Sequence, residues 1–151
     1  MASNQEKQIE RLNKLIRICR DGFEGYQNAV DDVQDAGLKN QFENMAQHRR
    51  HFADELSTLI VDMDGEVKSS GADTLSALHR TWMDIRKALS KNDRVAVIRE
   101  CVNGEKVAAN AYDSALAEVS FTKEQAQALL EQVTEIKENI RQLEEEVVQY
   151  A

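Results

Sequence analysis

The fold of this chain is decided by residues 64–93, DGEVKSSGADTLSALHRTWMDIRKALSKND. The first part, 64–73, is rich in Gly, Ser and Asp, which is the composition of a loop. An apolar stripe at helical spacing then predicts a short third helix over residues 74–90, with Asp73 as its N-terminal cap. The stripe consists of Leu75, Leu78, Trp82, Ile85 and Leu89. Residues 90–93 end this helix, so the whole stretch is long enough to run from one end of a helical bundle to the other.

Two long helices are predicted on each side of this stretch. They cover residues 4–35 and 38–63 before it, and residues 94–119 and Thr122 to the chain end after it. Each carries apolar residues at alternating steps of three and four, which is the seam of a long packed helix. The four seams are Ile9, Leu12, Ile16, Cys19, Phe23, Tyr26, Val30 and Val33; Leu38, Phe42, Met45, Arg49, Phe52, Leu56, Leu59 and Met63; Ile98, Val102, Glu105, Ala109, Tyr112, Leu116 and Val119; and Ala126, Leu129, Val133, Ile136, Ile140, Leu143, Val147 and Tyr150.

The ends of these helices are marked by residues that favour turns and caps. Gly37 is predicted to supply a left-handed stop for the first helix, and the second helix follows at once. Asp93 is predicted to cap the fourth helix, and Thr122 with Gln125 to form a capping box for the fifth. Connections this short make each pair of helices a tight antiparallel hairpin.

Two tight hairpins joined by one long connection predict a single domain over residues 1–151. If the connection runs the full length of the bundle, the second and fourth helices are parallel. That arrangement is an all-α, ferritin-like four-helix bundle with one long crossover that carries a short extra helix. The alternative is an up-and-down bundle with the short helix laid across one end.

Composition and charge agree with a helical bundle and exclude several partners. The chain has 151 residues, no proline, six glycines, 30% charged residues and only 5% aromatic residues, too few aromatic residues for a sheet protein. The net charge of −8 argues against binding to nucleic acids and to anionic membrane surfaces. No apolar run approaches the roughly 20 residues of a membrane span, and the N-terminus lacks the apolar core of a signal peptide. A cytoplasmic location is therefore the default expectation.

Glu105 is the one feature that breaks this pattern, because it lies in the middle of an otherwise apolar seam. A buried charge is costly unless something pairs with it. The second helix begins near residue 38 and the fourth near residue 94, so equivalent levels differ by about 56 residues. Arg49, the charged residue of its own seam, lies at that separation from Glu105. We therefore predict a buried Arg49–Glu105 ion pair, with Tyr26 or His48 supplying a further hydrogen bond.

Three segments resemble a bacterial ferritin-like four-helix-bundle family of unknown function. They are DGFEGYQNAVDD at 21–32, LHRTWMDI at 78–85 and NGEKVAANAYDSAL at 103–116. The resemblance covers nearly the whole chain, and its most specific pieces are the Gly-Phe-Glu-Gly-Tyr run, the His-Arg-x-Trp of the crossover and the Gly-Glu before an alanine-rich stripe. It implies the crossover topology, and it implies no particular activity.

Most of the ligand residues of the wider ferritin-like pattern for two irons are missing from this chain. That pattern requires one Glu from each of two helices and Glu-x-x-His from each of the other two, a donor set that suits iron or manganese. Glu24 and Glu105 can supply the two glutamates, but the second helix offers only His48 and His51, and the fifth helix has no histidine. The inward positions of the fifth helix are Val133, Ile136 and Ile140. We expect no cofactor; a single iron or manganese ion bound by Glu105 and His48 is the alternative to the Arg49–Glu105 ion pair.

Three classes of function remain open. They are a non-catalytic bundle that acts through protein contacts, for instance in stress physiology, a metal-dependent oxidase or hydroxylase on the same scaffold, and a metal-binding or storage protein. The ligand count favours the first class over an enzyme, and Cys19 and Cys101 are expected to be buried small hydrophobic residues. We also expect self-association, as a dimer through a helix face, because a second and weaker apolar set lies outside the seams. Its members are Leu15, Ile18, Ile60, Val67, Val97, Val107, Leu130 and Val148.

Overall fold

The computed structural model describes residues 2–68 and 76–150. Within these residues the chain is all-α, as predicted, and forms five α-helices. They are α1 (Asn4–Ala29), α2 (Ala36–Asp62), α3 (Ser76–Ser90), α4 (Arg94–Glu118) and α5 (Lys123–Tyr150), with a 3-10 turn at Val30–Asp32 after α1. The predicted cap Asp73 and the first stripe residue of the third helix, Leu75, lie outside the described residues. None of the helices in the described part of the chain is long and apolar enough to cross a membrane.

Polar contacts between the helices give their relative directions. Arg94, at the start of α4, forms an ion pair of 2.7 Å with Asp35, immediately before α2. Gln125, near the start of α5, donates a hydrogen bond to the sulfur of Met63, immediately after α2. Because α5 follows α4 through a short turn, the end of α4 also lies near the end of α2. Helices α2 and α4 therefore run in the same direction, as the length of the connection predicted.

The first residues after α2, up to residue 68, lie beside α1, and a buried asparagine holds them there. Asn13 donates from its amide to the carbonyl of Glu66 at 3.0 Å and accepts from the backbone N–H of Lys68 at 2.9 Å. Further along, Trp82 of α3 donates from its indole N–H to Asp21 of α1 at 2.9 Å. The described parts of the crossover, residues 64–68 and α3, thus contact α1 near Asn13 and near Asp21 respectively.

Replacing Asn13 with Ala should loosen this connection without opening the bundle. Both hydrogen bonds are lost, but Glu66 and Lys68 are exposed and their backbone groups can turn to water. We expect the free energy of unfolding to fall by about 1 kcal/mol, measured by urea denaturation. Asn110→Ala, at an exposed position of α4, is the control and should stay within about 0.5 kcal/mol of wild type. Equal effects at the two positions would contradict a role for Asn13 in holding the crossover.

The turn between α1 and α2 differs from the prediction. We expected the first helix to reach residue 35 and Gly37 to stop it in a left-handed conformation. Instead α1 ends at Ala29, and Asp35 caps α2 by accepting from the backbone N–H of Leu38 at 2.9 Å. Gly37 lies in the first turn of α2, and no glycine in the described residues has a positive φ. The reason is that an Asp side chain competes for backbone N–H groups and favours a helix start over a helix interior.

The other predicted caps are confirmed. Asp93 accepts from the backbone N–H of Ala96 at 3.1 Å and so begins α4. Thr122 and Gln125 exchange two hydrogen bonds, of 2.9 and 3.1 Å, which is the reciprocal geometry of a capping box. These caps fix where the two C-terminal helices begin and therefore the levels at which their side chains meet.

The core is wider than the predicted seams. Four members of the second apolar set, which we placed outside the seams, are buried: Leu15, Ile18, Ile60 and Val97. A helix that contacts more than one neighbour buries a broader stripe than a two-helix seam does, and α1 packs against α2, α3 and α4. Leu130 and Val148 do lie on the surface, with 52% and 80% of their area exposed.

Candidate functional site

The candidate site is a polar layer in the middle of the bundle, where Glu105 of α4 meets Arg49 of α2. Arg49 Nη2 donates to Glu105 Oε2 at 2.5 Å. The two residues are almost completely buried, with relative exposures of 4% for Arg49 and 2% for Glu105. Among the described residues Glu105 is the only buried carboxylate. The structure thus brings together the two charges that the seam pattern placed at one level.

Tyr26 of α1 completes the layer. Its hydroxyl donates to Glu105 Oε1 at 2.8 Å, so each carboxylate oxygen has its own donor. Burial, together with the negative charge of Glu105, raises the pKa of Tyr26 well above its usual value. The phenol therefore stays protonated and remains a hydrogen-bond donor at neutral pH.

Glycine makes room for the guanidinium of Arg49. A Cβ atom on Gly22 of α1 would lie 2.6 Å from Arg49 Nη1, closer than real contacts allow. Nη1 also donates to the carbonyl of Ile18, one turn earlier, at 3.4 Å. Burial on its own would lower the pKa of Arg49, but the charge of Glu105, its hydrogen bond to Arg49 and the neighbouring Cys19 and Tyr26 together raise the pKa. Arg49 is therefore a permanent cation in the centre of the protein.

A second buried polar cluster lies beside the first, and the sequence analysis did not predict it. The hydroxyl of Tyr112 donates to Gln132 Oε1 at 2.6 Å and lies 3.2 Å from the sulfur of Cys19. Gln132 in turn donates to the carbonyl of Phe52 at 3.3 Å. The only signal available was Gln132 itself, a polar residue directly before the seam position Val133. This cluster satisfies its own polar atoms and presents none of them to solvent.

The two cysteines are poor nucleophiles in this environment. Cys19 and Cys101 are both free and buried. Burial is the main cause that raises the pKa of each thiol above its ordinary value. Because the thiolate is the reactive form, neither cysteine is placed for covalent catalysis.

His48 lies at the mouth of a small crevice that reaches the ion pair from the α2–α5 side. The crevice has a volume of about 20 Å³, enough for one water molecule. It is lined by Met45, His48, Arg49, Phe52, Glu105, Glu135, Ile136 and Asn139. His48 is exposed and its ring faces Phe52 at 6.5 Å between centroids. The predicted metal ligands Glu105 and His48 therefore border the same crevice, and the hydrogen bonds to Glu105 come from Arg49 and Tyr26.

The other candidate ligands are not brought to this layer. Glu24 and His79 are exposed on α1 and α3, and His51 lies 3.2 Å from Glu55 on the surface of α2. The three α5 positions that were predicted to face this layer, Val133, Ile136 and Ile140, are all buried and carry no metal-binding group. In the described residues, no three His, Cys, Asp or Glu side chains are grouped so that they could hold a metal ion. The residues present do not fit a two-metal centre.

Fold and site together define a helical bundle whose centre is closed by an internal ion pair. The comparisons with known proteins add a family. The chain belongs to the family described as domain of unknown function DUF2383, which matches residues 7–118. This match includes Tyr26, Arg49 and Glu105. A search of the curated proteins found no match.

Proposed function

We propose that this protein is a non-catalytic, ferritin-like bundle that acts through contacts with other protein surfaces. In this proposal the centre of the bundle is structural, and the Arg49 guanidinium occupies the place where a metal-binding bundle of this type would hold a cation. The observation that carries the proposal is the state of Glu105. Each of its two oxygens already accepts a hydrogen bond, one from Arg49 and one from Tyr26, so the only buried carboxylate among the described residues is paired in charge and bonded on both oxygens.

Charge balance supports the same conclusion. One guanidinium neutralises one carboxylate, whereas two divalent cations require several carboxylates around them. Glu105 is the only carboxylate buried in the described part of the chain, and a metal ion would have to compete with the guanidinium of Arg49, which is hydrogen-bonded to it at 2.5 Å. A metal at this position would also leave the Arg49 charge buried without its partner, which is strongly unfavourable.

Metal binding provides the direct test. Protein prepared without a histidine tag and titrated anaerobically with ferrous iron, then exposed to oxygen, should develop no strong oxo-bridge absorption. Any weak binding should be the same in Glu105→Gln, because adventitious surface ligands do not depend on the buried carboxylate. Two equivalents bound with micromolar affinity or better, and lost in Glu105→Gln, would overturn the proposal in favour of an oxidase or hydroxylase.

A second candidate, a single metal at the crevice, has one observation in its favour. His48, Glu105 and Glu135 border the same small crevice, so a modest rearrangement of Arg49 would bring imidazole and carboxylate donors to one point. One equivalent of manganese or ferrous iron that is lost in both His48→Ala and Glu105→Gln would favour this candidate. Binding lost in neither variant would exclude it.

The partners proposed for this bundle are proteins, including further copies of the same chain. With a net charge of −8 we propose neither nucleic acid nor membrane lipid as a ligand. Self-association by such an acidic chain requires a local surface that attracts rather than repels. The structure contains a candidate for such a surface.

A further inference from the structure

The outward face of α3 is basic in an otherwise acidic protein. Arg80, Arg86 and Lys87 are exposed on this helix, and Lys91 follows directly after it. Asp84 is the only acidic residue of the helix. Met83 lies among these charges with 57% of its area exposed. We call this surface, made of His79, Arg80, Met83, Arg86, Lys87 and Lys91, the α3 patch.

The basic side chains of the α3 patch are available for an external partner. Within the described residues, Arg80, Arg86, Lys87 and Lys91 form no ion pair, although arginines elsewhere in the chain do. A groove of about 360 Å³ runs beside the patch, between α3 and α1; Trp82 and Met83 line it on the α3 side, and Asp21 and Glu24 line it on the α1 side. The patch therefore combines unpaired positive charge with an apolar centre, which is the make-up of a protein contact surface.

The α5 helix carries a surface of the opposite kind. Leu130 is 52% exposed and lies in a shallow depression lined by Gln127, Leu130, Glu131, Thr134 and Glu135. We call these five residues the α5 patch. Glu131 and Glu135 form no ion pair with other described residues; Glu131 accepts only from Gln127, at 3.3 Å. The α5 patch is thus an apolar centre with unpaired negative charge beside it.

The two patches do not meet within one molecule. Helix α3 packs on α1 and α4, whereas α5 packs on α4 and α2. Glu135 also borders the crevice between α2 and α5, on the side of the bundle away from α3. The two patches therefore do not pair with each other within one chain, and both are open to a second molecule.

We propose that the α3 patch of one molecule docks on the α5 patch of a second copy of this chain. This inference rests on the proposed function, because it names the surfaces through which the bundle makes protein contacts. The basic rim of α3 faces Glu131 and Glu135, and Met83 packs against Leu130. Because the two surfaces are different, the contact is heterologous: it closes into a ring if the rotation between copies allows, and otherwise leaves an open chain of copies.

Light scattering at low salt and about 100 µM protein should give a mass above the 17.1 kDa of one chain, since contacts with micromolar Kd are populated there. The mass should fall towards one chain at about 1 M salt, where charges are screened within about 3 Å. In the α3-reversed variant, Arg80→Glu with Lys87→Glu, the affinity of self-association should fall by about tenfold or more. The α5-reversed variant, Glu131→Lys with Glu135→Lys, should behave in the same way.

The decisive sample is an equal mixture of the two reversed variants. Each fails alone, but the mixture restores opposite charges across the contact and should associate about as well as wild type. Its total charge equals that of two wild-type chains, so general repulsion is unchanged. Lys14→Glu with Lys39→Glu, at exposed positions on α1 and α2, has the net charge of the α3-reversed variant and should associate like wild type.

Three results would overturn the contact. They are a wild type that remains a single chain at low salt, an α3-reversed variant that associates like wild type, and a mixture that fails to associate while each variant keeps its helical circular dichroism. The proposed function is tested separately by metal titration. A negative metal titration together with a monomeric wild type would therefore discard this contact and leave the non-catalytic assignment in place.

Discussion

Glu105→Gln is expected to lower the free energy of unfolding by about 3–5 kcal/mol, because it leaves the Arg49 guanidinium buried without a counter-charge. The guanidinium lies inside the protein, where bulk water does not replace the lost carboxylate. Arg49 is 4% exposed, and its guanidinium lies against one turn of α1, formed by Gly22 and the carbonyl of Ile18. In a domain of this size the loss corresponds to a fall in melting temperature of roughly 10 °C. Urea and thermal denaturation followed at 222 nm measure both quantities.

The matched control is the same substitution in a surface ion pair. Glu144 lies 3.7 Å from Lys106, and both side chains are about half exposed. Surface pairs of this kind contribute about 0–1 kcal/mol, so Glu144→Gln should scarcely change the melting temperature. If Glu105→Gln and Glu144→Gln melt together, Glu105 does not carry a charge that Arg49 needs.

Removing both charges should be less harmful than removing one. In Arg49→Met with Glu105→Leu, no buried charge remains and side chains of similar volume fill the layer. Such replacements are often neutral or stabilising, so the double variant should recover much of the loss seen in Glu105→Gln. The Tyr26 hydroxyl then loses its acceptor, which costs about 1–3 kcal/mol, and adding Tyr26→Phe should restore part of that amount. A double variant as unstable as Glu105→Gln would mean that the layer is held by shape and not by charge.

Some features of this structure could be predicted from the sequence, and others could not. The sequence predicted that Arg49 and Glu105 lie at the same height in the bundle. This was possible because position along a long helix increases by a fixed rise per residue, and short turns keep neighbouring helices in register. The caps at Asp93 and Thr122 were predictable because each has its partner N–H within three residues. The end of α1 was not, because residues 31–35 contain three aspartates and each is a plausible cap. Local preference alone does not choose between them.

Some buried side chains and contacts of the core were not predicted, for a different reason. Leu15 and Ile18 lie off the seam of α1, and their burial depends on where α3 and α4 pack. The cluster of Cys19, Tyr112 and Gln132 joins three helices at positions with no common sequence spacing. Such contacts follow from tertiary packing, which the periodicity of one helix does not encode. The α3 and α5 patches likewise emerged only when exposure was known.

Gly25→Ala should destabilise the protein by about 1–3 kcal/mol, the usual cost of overpacking a filled site. In a helix the same change normally stabilises by about 1 kcal/mol. The sign is reversed because a Cβ atom on Gly25 would lie 2.1 Å from two carbon atoms of the indole ring of Trp82, far closer than real contacts allow. The indole is held in place: it stacks edge-on against Tyr26 at 4.8 Å and donates to Asp21 at 2.9 Å. Since the clashing atoms belong to a rigid ring, α3 as a whole has to move.

A thermodynamic cycle separates this clash from any other effect of the substitution. In a Trp82→Ala background the ring is gone, and Gly25→Ala should regain its ordinary helix-stabilising effect of about 1 kcal/mol. The coupling between the two positions should therefore be about 2–4 kcal/mol, at or above the upper end of the range for residues in contact. A coupling near zero would show that Trp82 does not rest on Gly25.

The position of α3 matters for the buried ion pair, because Thr81, Trp82 and Ile85 of this helix cover Arg49. If Trp82 did not rest on Gly25, α3 would lie elsewhere and these three side chains would not cover Arg49. This coupling therefore tests both the placement of α3 and the covering of the buried ion pair. Both depend on Trp82, which can pack against α1 only because residue 25 is a glycine.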